Sequence, residues 1–267
     1  MTGKSILQVK NDAVFRMFFA DERNQDSLIA FLKSILKLPD DEYDEITITD
    51  PHLLPEREDG KLGIIDVKLR TKNNKIIHIE IQLKKIPEMK ERIVFYDAKL
   101  ITEQLNQGDK YSKINQVISI IITNKTLVEG SSRYHHRFTL FDLDVKIEFS
   151  DIIEIHTLEL QKLPEEPDGT KLYDWAKFID AETEEELNMT AERNPEVKKA
   201  AVRIVELSAD ERARELAENH IKHQRDMASI LDGKDIEHAR VIADKDAEIA
   251  DNHAEIARLR ALLEKQG

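Results

Sequence analysis

Asp66, Glu80 and Gln82 have the residue types and spacing to gather oxygen ligands around a hard divalent cation. Asp66 lies in Gly63-Ile-Ile-Asp66-Val-Lys-Leu69, and Glu80 and Gln82 in His78-Ile-Glu80-Ile-Gln82-Leu83. Both stretches alternate apolar and polar residues, as a strand with one buried face does. Ile77, Ile79, Ile81 and Leu83 take one face of the second strand, and His78, Glu80 and Gln82 take the other. In the first strand Ile65, Val67 and Leu69 point one way, while Asp66, Lys68 and Arg70 point the other. The polar stretch Lys72-Asn73-Asn74-Lys75 between them reads as a tight turn, since asparagine tolerates positive φ. A hairpin of this kind brings two carboxylates and a carboxamide onto one polar face, the donor chemistry such a cation needs.

Register decides whether they meet. A two-residue loop of Asn73 and Asn74 sets Asp66 opposite the apolar Ile81, against the hydrophobic pattern. A three-residue loop sets Asp66 opposite Glu80 or Gln82. The pattern therefore predicts a loop with an odd residue count, or a bulge, and an asparagine in the left-handed region. Asp66 and Glu80 on opposite faces would rule the site out.

Mg²⁺ prefers octahedral oxygen ligation and keeps several waters, so two carboxylates on adjacent strands suffice to hold it beside a substrate phosphate. The expected metal ligands are Asp66, Glu80 and the backbone carbonyl of Ile81. A bound cation acidifies its water and offsets charge growing on phosphate oxygens. Gln82 cannot act as a base near neutral pH, but its carboxamide can orient water or a phosphate oxygen. Lys84 shares the Gln82 face and can supply positive charge. Arg92 and Tyr96, four apart on the next predicted helix, share a face; a phosphate clamp with a stacking ring competes with a surface charge beside a core aromatic. Asp12 serves either as a third carboxylate or as a helix cap. His78 reads as solvated or bridging rather than as a ligand, and His135-His136 as loop.

The chain has 267 residues, enough for one large or two modest domains, and no cysteine, which excludes disulfides, thiolate metal sites and a cysteine nucleophile. Its start lacks the apolar run of a signal peptide, and no stretch approaches the ~20 apolar residues that span a membrane. A soluble, cytoplasmic protein is the expectation. Net charge is −13, which argues against a general nucleic-acid binder. Locally the sign reverses: from Lys61 to Lys99 ten Lys and Arg oppose five acids, leaving +5 around the paired carboxylates. Those lysines either rim a phosphate site or solubilise strand edges. No Gly-rich phosphate loop, nucleophile elbow or metalloprotease helix motif occurs.

The elements that must position these residues follow from periodicity. Asn11-Asp12 caps a helix over Ala13–Phe19, and residues 27–36 form a second helix. A short strand covers residues 45–50 before the hairpin. A helix opens at Pro87 and runs to about Gln107, and Val117–Thr123 is a strand buried on both faces. Residues 138–149 and 152–160 read as two more strands. Leu163-Pro-Glu-Glu-Pro-Asp-Gly169 is a linker, after which every segment is helical: 172–178, 182–188, 196–207 and 209–231. Ile242, Ile249, Ile256 and Leu263 recur every seven residues, the spacing of a helix-pairing seam. Lys245 and Asn252 weaken its companion row, which leaves a coiled-coil oligomer and a solvated helix as alternatives.

Asp66-Val67, Glu80-Ile-Gln82, Met89, Arg92 and Tyr96 together resemble the PD-(D/E)XK nuclease superfamily, and within it the Rpn family of recombination-promoting nucleases and transposases. Asn11-Asp-Ala-Val-Phe-Arg-Met-Phe-Phe19 is similar to that family's first helix. Ile155-His-Thr-Leu-Glu-Leu-Gln-Lys162 and Leu172-Tyr-Asp-Trp-Ala-Lys-Phe178 resemble its second half. The resemblance implies an α/β, restriction-endonuclease-like mixed sheet over residues 1–162, a helical region over 163–232 and a C-terminal helix over 233–267 that is a possible coiled coil. It implies an Mg²⁺-dependent DNA endonuclease promoting recombination, hydrolysing phosphodiesters with metal-activated water. Asp66 and Glu80 would bind the metal, with Gln82 in place of the superfamily lysine; Lys84, Arg92 and Tyr96 are the expected substrate contacts. DNA is the expected partner, with a possible homo-oligomer through the C-terminal helix and no membrane. The alternative is a non-catalytic, nuclease-like interaction protein that oligomerises through its C-terminal helices.

Overall fold

The structure, a computed structural model, describes residues 6–49, 66–83, 87–222 and 245, with backbone alone at 52–53 and 63–64. The chain divides into two compact units, Met1–Ala217 and Glu218–Gly267. In the second, residues 218–222 and 245 are helical; the seven-residue repeat from Ile242 to Leu263 lies outside the described residues. Among the described residues no helix is long and apolar enough to cross a membrane.

The first unit is built on a mixed six-stranded sheet. Its strands are β1 (Thr47–Thr49), β4 (Val67–Arg70), β5 (Ile76–Gln82), β6 (Val117–Thr123), β7 (His135–Phe141) and β8 (Glu148–Glu159), in the order β1-β4-β5-β6-β8-β7. A separate two-stranded pair joins β2 (His52–Leu53) to β3 (Gly63–Ile64). β5, β6 and β8 are parallel; β4 runs antiparallel to β1 and β5, and β7 antiparallel to β8. The nearly continuous apolar run of β6 suits its central place, where every residue is buried.

One face of the sheet carries most of the core. Ile77, Ile79, Ile81, Ile118, Ile120 and Ile122 pack there against α1 (Asp12–Phe19), α2 (Gln25–Ile35), α4 (Lys171–Asp180) and α6 (Pro195–Ala209). Asn11 caps α1 by accepting from the Ala13 and Val14 amides. Phe15, Phe18 and Phe19 then present a buried aromatic stripe. Helices from beyond the linker share this core: Trp175 lies 6.3 Å from Phe19 and 6.0 Å from Phe31, and Phe178 lies 5.7 Å from Phe18, ring centre to ring centre. Thr170 caps α4, a capping box of Thr183 and Glu186 opens α5 (Glu184–Ala191), and Asn194 with Pro195 opens α6.

The other face is covered by α3 (Met89–Thr102), the crossover between β5 and β6. Tyr96 and Leu100 pack on Ile76 and Val117, and Met89 and Ile93 on Ile121. This corrects the reading of β5 as a strand with a single buried face. His78 and Glu80 are buried beneath α3, and their polarity is met by side chains from the helix and from β6.

The β4–β5 turn follows the expected register. Val67 pairs with Ile79 and Arg70 with Ile76; the same register carried one residue further would set Asp66 opposite Glu80. Lys72, Asn73 and Asn74 form a three-residue loop between the Thr71 amide and the Lys75 carbonyl, 3.0 Å apart. Asn74 is left-handed, at φ 65°. Asn74→Gly is therefore expected to keep stability within about 0.5 kcal/mol, while Asn74→Val loses about 1–2 kcal/mol because a β-branched residue resists positive φ. Urea denaturation measures both, and equal stabilities would contradict this turn.

Several boundaries differ from expectation: α3 opens at Met89 rather than at Pro87, with Glu88 left-handed at φ 60° between them. α3 ends at Thr102 rather than near Gln107, because the chain tightens into three-residue turns and the Gln104 side chain bonds the Leu100 and Asn115 carbonyls. The strand expected over residues 138–149 is interrupted by a turn. Asp142 Oδ1 accepts from the Asp144 and Val145 amides, and Lys146 adopts φ 59°. His135 and His136 thereby belong to β7, not to a loop.

Candidate active site

Asp66 sits just before β4, with its side chain largely buried. The β4–β5 ladder runs to Val67 and Ile79; beyond it the Ile81 amide donates to Asp66 Oδ2 at 2.8 Å. In an extended strand the N–H and C=O of one residue face the same edge, so the Ile81 carbonyl is directed to the Asp66 side. Arg16 of α1 brings its Nε within 3.7 Å of Asp66 Oδ1. Burial nevertheless pushes the Asp66 carboxyl up to about 7, against the Ile81 bond and Arg16 and with help from the charges of Glu80 and Asp12.

Glu80 is almost wholly enclosed. Its Oε1 accepts from Arg92 Nη2 at 2.5 Å, while Oε2 is buried and has no hydrogen-bond partner among the described residues. Burial raises its pKa, opposed by Arg92 and His78. Two neighbouring buried carboxylates, one oxygen orphaned and one acid held near neutrality, form a site short of positive charge.

Arg92 and Tyr96 share a face of α3 as expected. Arg92 Nε donates to the Tyr96 hydroxyl at 3.3 Å, and the guanidinium lies 5.2 Å from the ring centre. Gln82 ends β5, paired with Thr123 of β6, and lines a cavity of about 180 Å³ with Met89, Lys90 and Lys125. Lys84 lies outside the described residues. Asp12 is the first residue of α1 with Asn11 as its cap, and its charge acts on Asp66, which keeps it beside the site.

His78 is neither solvated nor exposed. Its Nε2 lies 2.8 Å from Asp97 Oδ1 and 2.5 Å from Ser119 Oγ, and Ser119 also donates to Asp97. All three side chains are fully buried, tying α3 to β5 and β6 one residue pair away from Glu80. Sequence reasoning missed Asp97, Ser119 and Arg16. The signals were present: Asp97 interrupts the apolar stripe of Ile93, Tyr96 and Leu100, and Ser119 is the one hydroxyl inside the apolar run of β6 before its final Thr123.

Among the described residues no group of three or more His, Asp and Glu side chains could hold a metal ion. Any ion at this site would take two carboxylates and complete its shell with carbonyl oxygen and water. Those are hard oxygen donors alone, the set suited to Mg²⁺ and unsuited to softer metals.

A mixed sheet with helices on both faces has the PD-(D/E)XK type of α/β architecture, and the two acids lie just beyond the end of its antiparallel β4–β5 ladder. The family model described as PD-(D/E)XK nuclease family transposase matches residues 9–234, and the chain belongs to that family. No curated protein and no solved structure matches it significantly.

Proposed function

We propose that the chain is a divalent-metal-dependent DNA endonuclease that hydrolyses phosphodiester bonds, in keeping with a family of nucleases and transposases. One observation carries the reading: Asp66 and Glu80 are close enough to act on each other electrostatically, Glu80 Oε2 lacks a partner among the described residues, and burial raises Asp66 to about 7. That is the electrostatic signature of a cation site. Asp66, Glu80 and the Ile81 carbonyl would hold Mg²⁺ or a similar ion. When bound, the cation supplies positive charge toward phosphoryl oxygens and an acidified water.

The chain's own residues supply the rest. The Gln82 carboxamide orients water or a phosphate oxygen without taking a proton. Arg92 uses one nitrogen on Glu80 and another on Tyr96, which leaves further donors of its fork for phosphate. Lys84, two positions after Gln82 in the sequence, is a further source of positive charge in this reading. The surplus of ten basic over five acidic residues from Lys61 to Lys99 favours a polyanion at this corner of an acidic protein.

Purified protein is expected to nick or linearise supercoiled plasmid in Mg²⁺ and to stop on chelation. Intact plasmid at micromolar enzyme would overturn the proposal. Mg²⁺ binding must also displace the proton on Asp66. Apparent affinity therefore rises with pH, about tenfold per unit below pH 7, and levels off above it. Calorimetry in buffers of different ionisation heat reads the released proton; pH-independent binding with no release would count against the assignment.

A second reading, a nuclease-like fold that binds partners without cutting and assembles through its C-terminal helices, is favoured by the Arg92–Glu80 contact at 2.5 Å, which already neutralises one acid. Loss of Mg²⁺ binding together with cleavage in the wild type would select it.

A further inference from the structure

β8 begins at Glu148, but β6 joins it only at Ile153. Between Phe138 and Glu148 the chain thus forms a two-stranded ribbon that reaches past the sheet, with Leu140 opposite Ser150 and Phe141 opposite Glu148. Of fourteen exposed large apolar side chains among the described residues, seven lie in residues 138–149. Leu143 is 79% exposed and Phe149 84%. Together they leave on the order of 700 Å² of apolar side chain in water, close to the ~800 Å² per partner of a stable interface. An isolated two-stranded ribbon is marginal alone, and apolar patches of this size mark contact surfaces.

The ribbon's charge narrows the partner. Asp142, Asp144, Glu148 and Asp151 oppose Lys146, and Arg137 is held on both Glu154 oxygens at 2.8 and 2.9 Å. An acidic surface repels nucleic acid and anionic membrane alike. β7 is also the end strand of the sheet, so alternate backbone groups face outward. Its residues, His135 to Phe141, include neither proline nor lysine, and the register shifts on either side of Leu140 leave His135–Phe138 as the regular stretch for edge pairing.

We infer that this ribbon is a homodimer interface, in which β7 pairs antiparallel with β7 of a second copy across a two-fold axis. A strand edge is self-complementary under that symmetry, and the contact closes on itself. Antiparallel pairing also sends the two acidic turns to opposite ends, away from each other. The inference does not depend on the site cutting DNA.

The test is sedimentation velocity of the full chain from 1 to 100 µM. The wild type is expected near twice 30.9 kDa. Ile147→Lys with Phe149→Lys, both at exposed positions, is expected to weaken association at least a hundredfold without altering the circular dichroism spectrum. Because the chain has no cysteine, Phe138→Cys and Leu140→Cys each report alone, and a disulfide-linked dimer on oxidation is expected from at least one. A monomeric wild type at 100 µM overturns the inference. So does a dimer unaffected by the lysines, or one abolished instead by Ile249→Glu with Ile256→Glu in the C-terminal repeat.

Discussion

Asp66→Asn and Glu80→Gln are each expected to lower plasmid cleavage in Mg²⁺ by at least a thousandfold, about 4 kcal/mol of lost transition-state stabilisation. Each exchange removes one of two charges available to a divalent ion and leaves the shape of the site intact. Folding should not suffer. Asn at position 66 still accepts from the Ile81 amide, and the acid it replaces is a liability without metal. The folded pKa of Asp66 is raised from 3.8 to about 7, so its ionised form opposes folding, and stability falls as pH climbs through that window. At pH 8 without metal, Asp66→Asn is thus expected to melt at or above the wild-type temperature. Excess Mg²⁺ should raise the wild-type melting temperature and not that of the variant. Cleavage within tenfold of wild type by either variant would place the chemistry elsewhere.

Trp175→Ala is expected to cost about 3–5 kcal/mol, read from chemical denaturation. Trp175 is fully buried and packs on Phe19, Phe31 and Phe178, so truncation opens a cavity where α1, α2 and α4 meet. Trp175→Phe should cost about 1–2 kcal/mol, because the indole N–H has no partner among the described residues and most of the ring volume is kept. The large loss would reach the site, since α1 carries both Arg16 and Asp12. A Trp175→Ala protein within 1 kcal/mol of wild type would contradict this packing.

How much was legible in the chain differs between the hairpin and its cover. Period-two alternation and an asparagine-rich turn determine the β4–β5 register, because a one-residue slip would turn every apolar side chain outward. The same alternation misled on burial. His78 and Glu80 look like a solvated face until Asp97 and Arg92 of α3 are placed over them, and those partners are nineteen and twelve residues away in sequence. Polar residues buried in pairs have the same pattern as polar residues in water. The β7–β8 turn was hidden for a related reason. Phe141, Leu143, Val145, Ile147 and Phe149 keep strand-like alternation straight through it, and only Asp142 signals the bend.

The aromatic core has a further consequence in time. Phe18 meets Phe178 across 160 positions of chain, and the Leu7 amide meets Ser208 Oγ across 201. At ~5–20 residues per second, a ribosome needs on the order of ten seconds or more to make the second half of these contacts. During that interval α1 has nothing from α4 or α6 to pack against. The acids of the hairpin and the α3 cover of Glu80 exist in the growing polypeptide long before α4 and α6 close the core on the other face of the sheet. The sheet that carries them is backed on its other face only when synthesis has passed the last core helix.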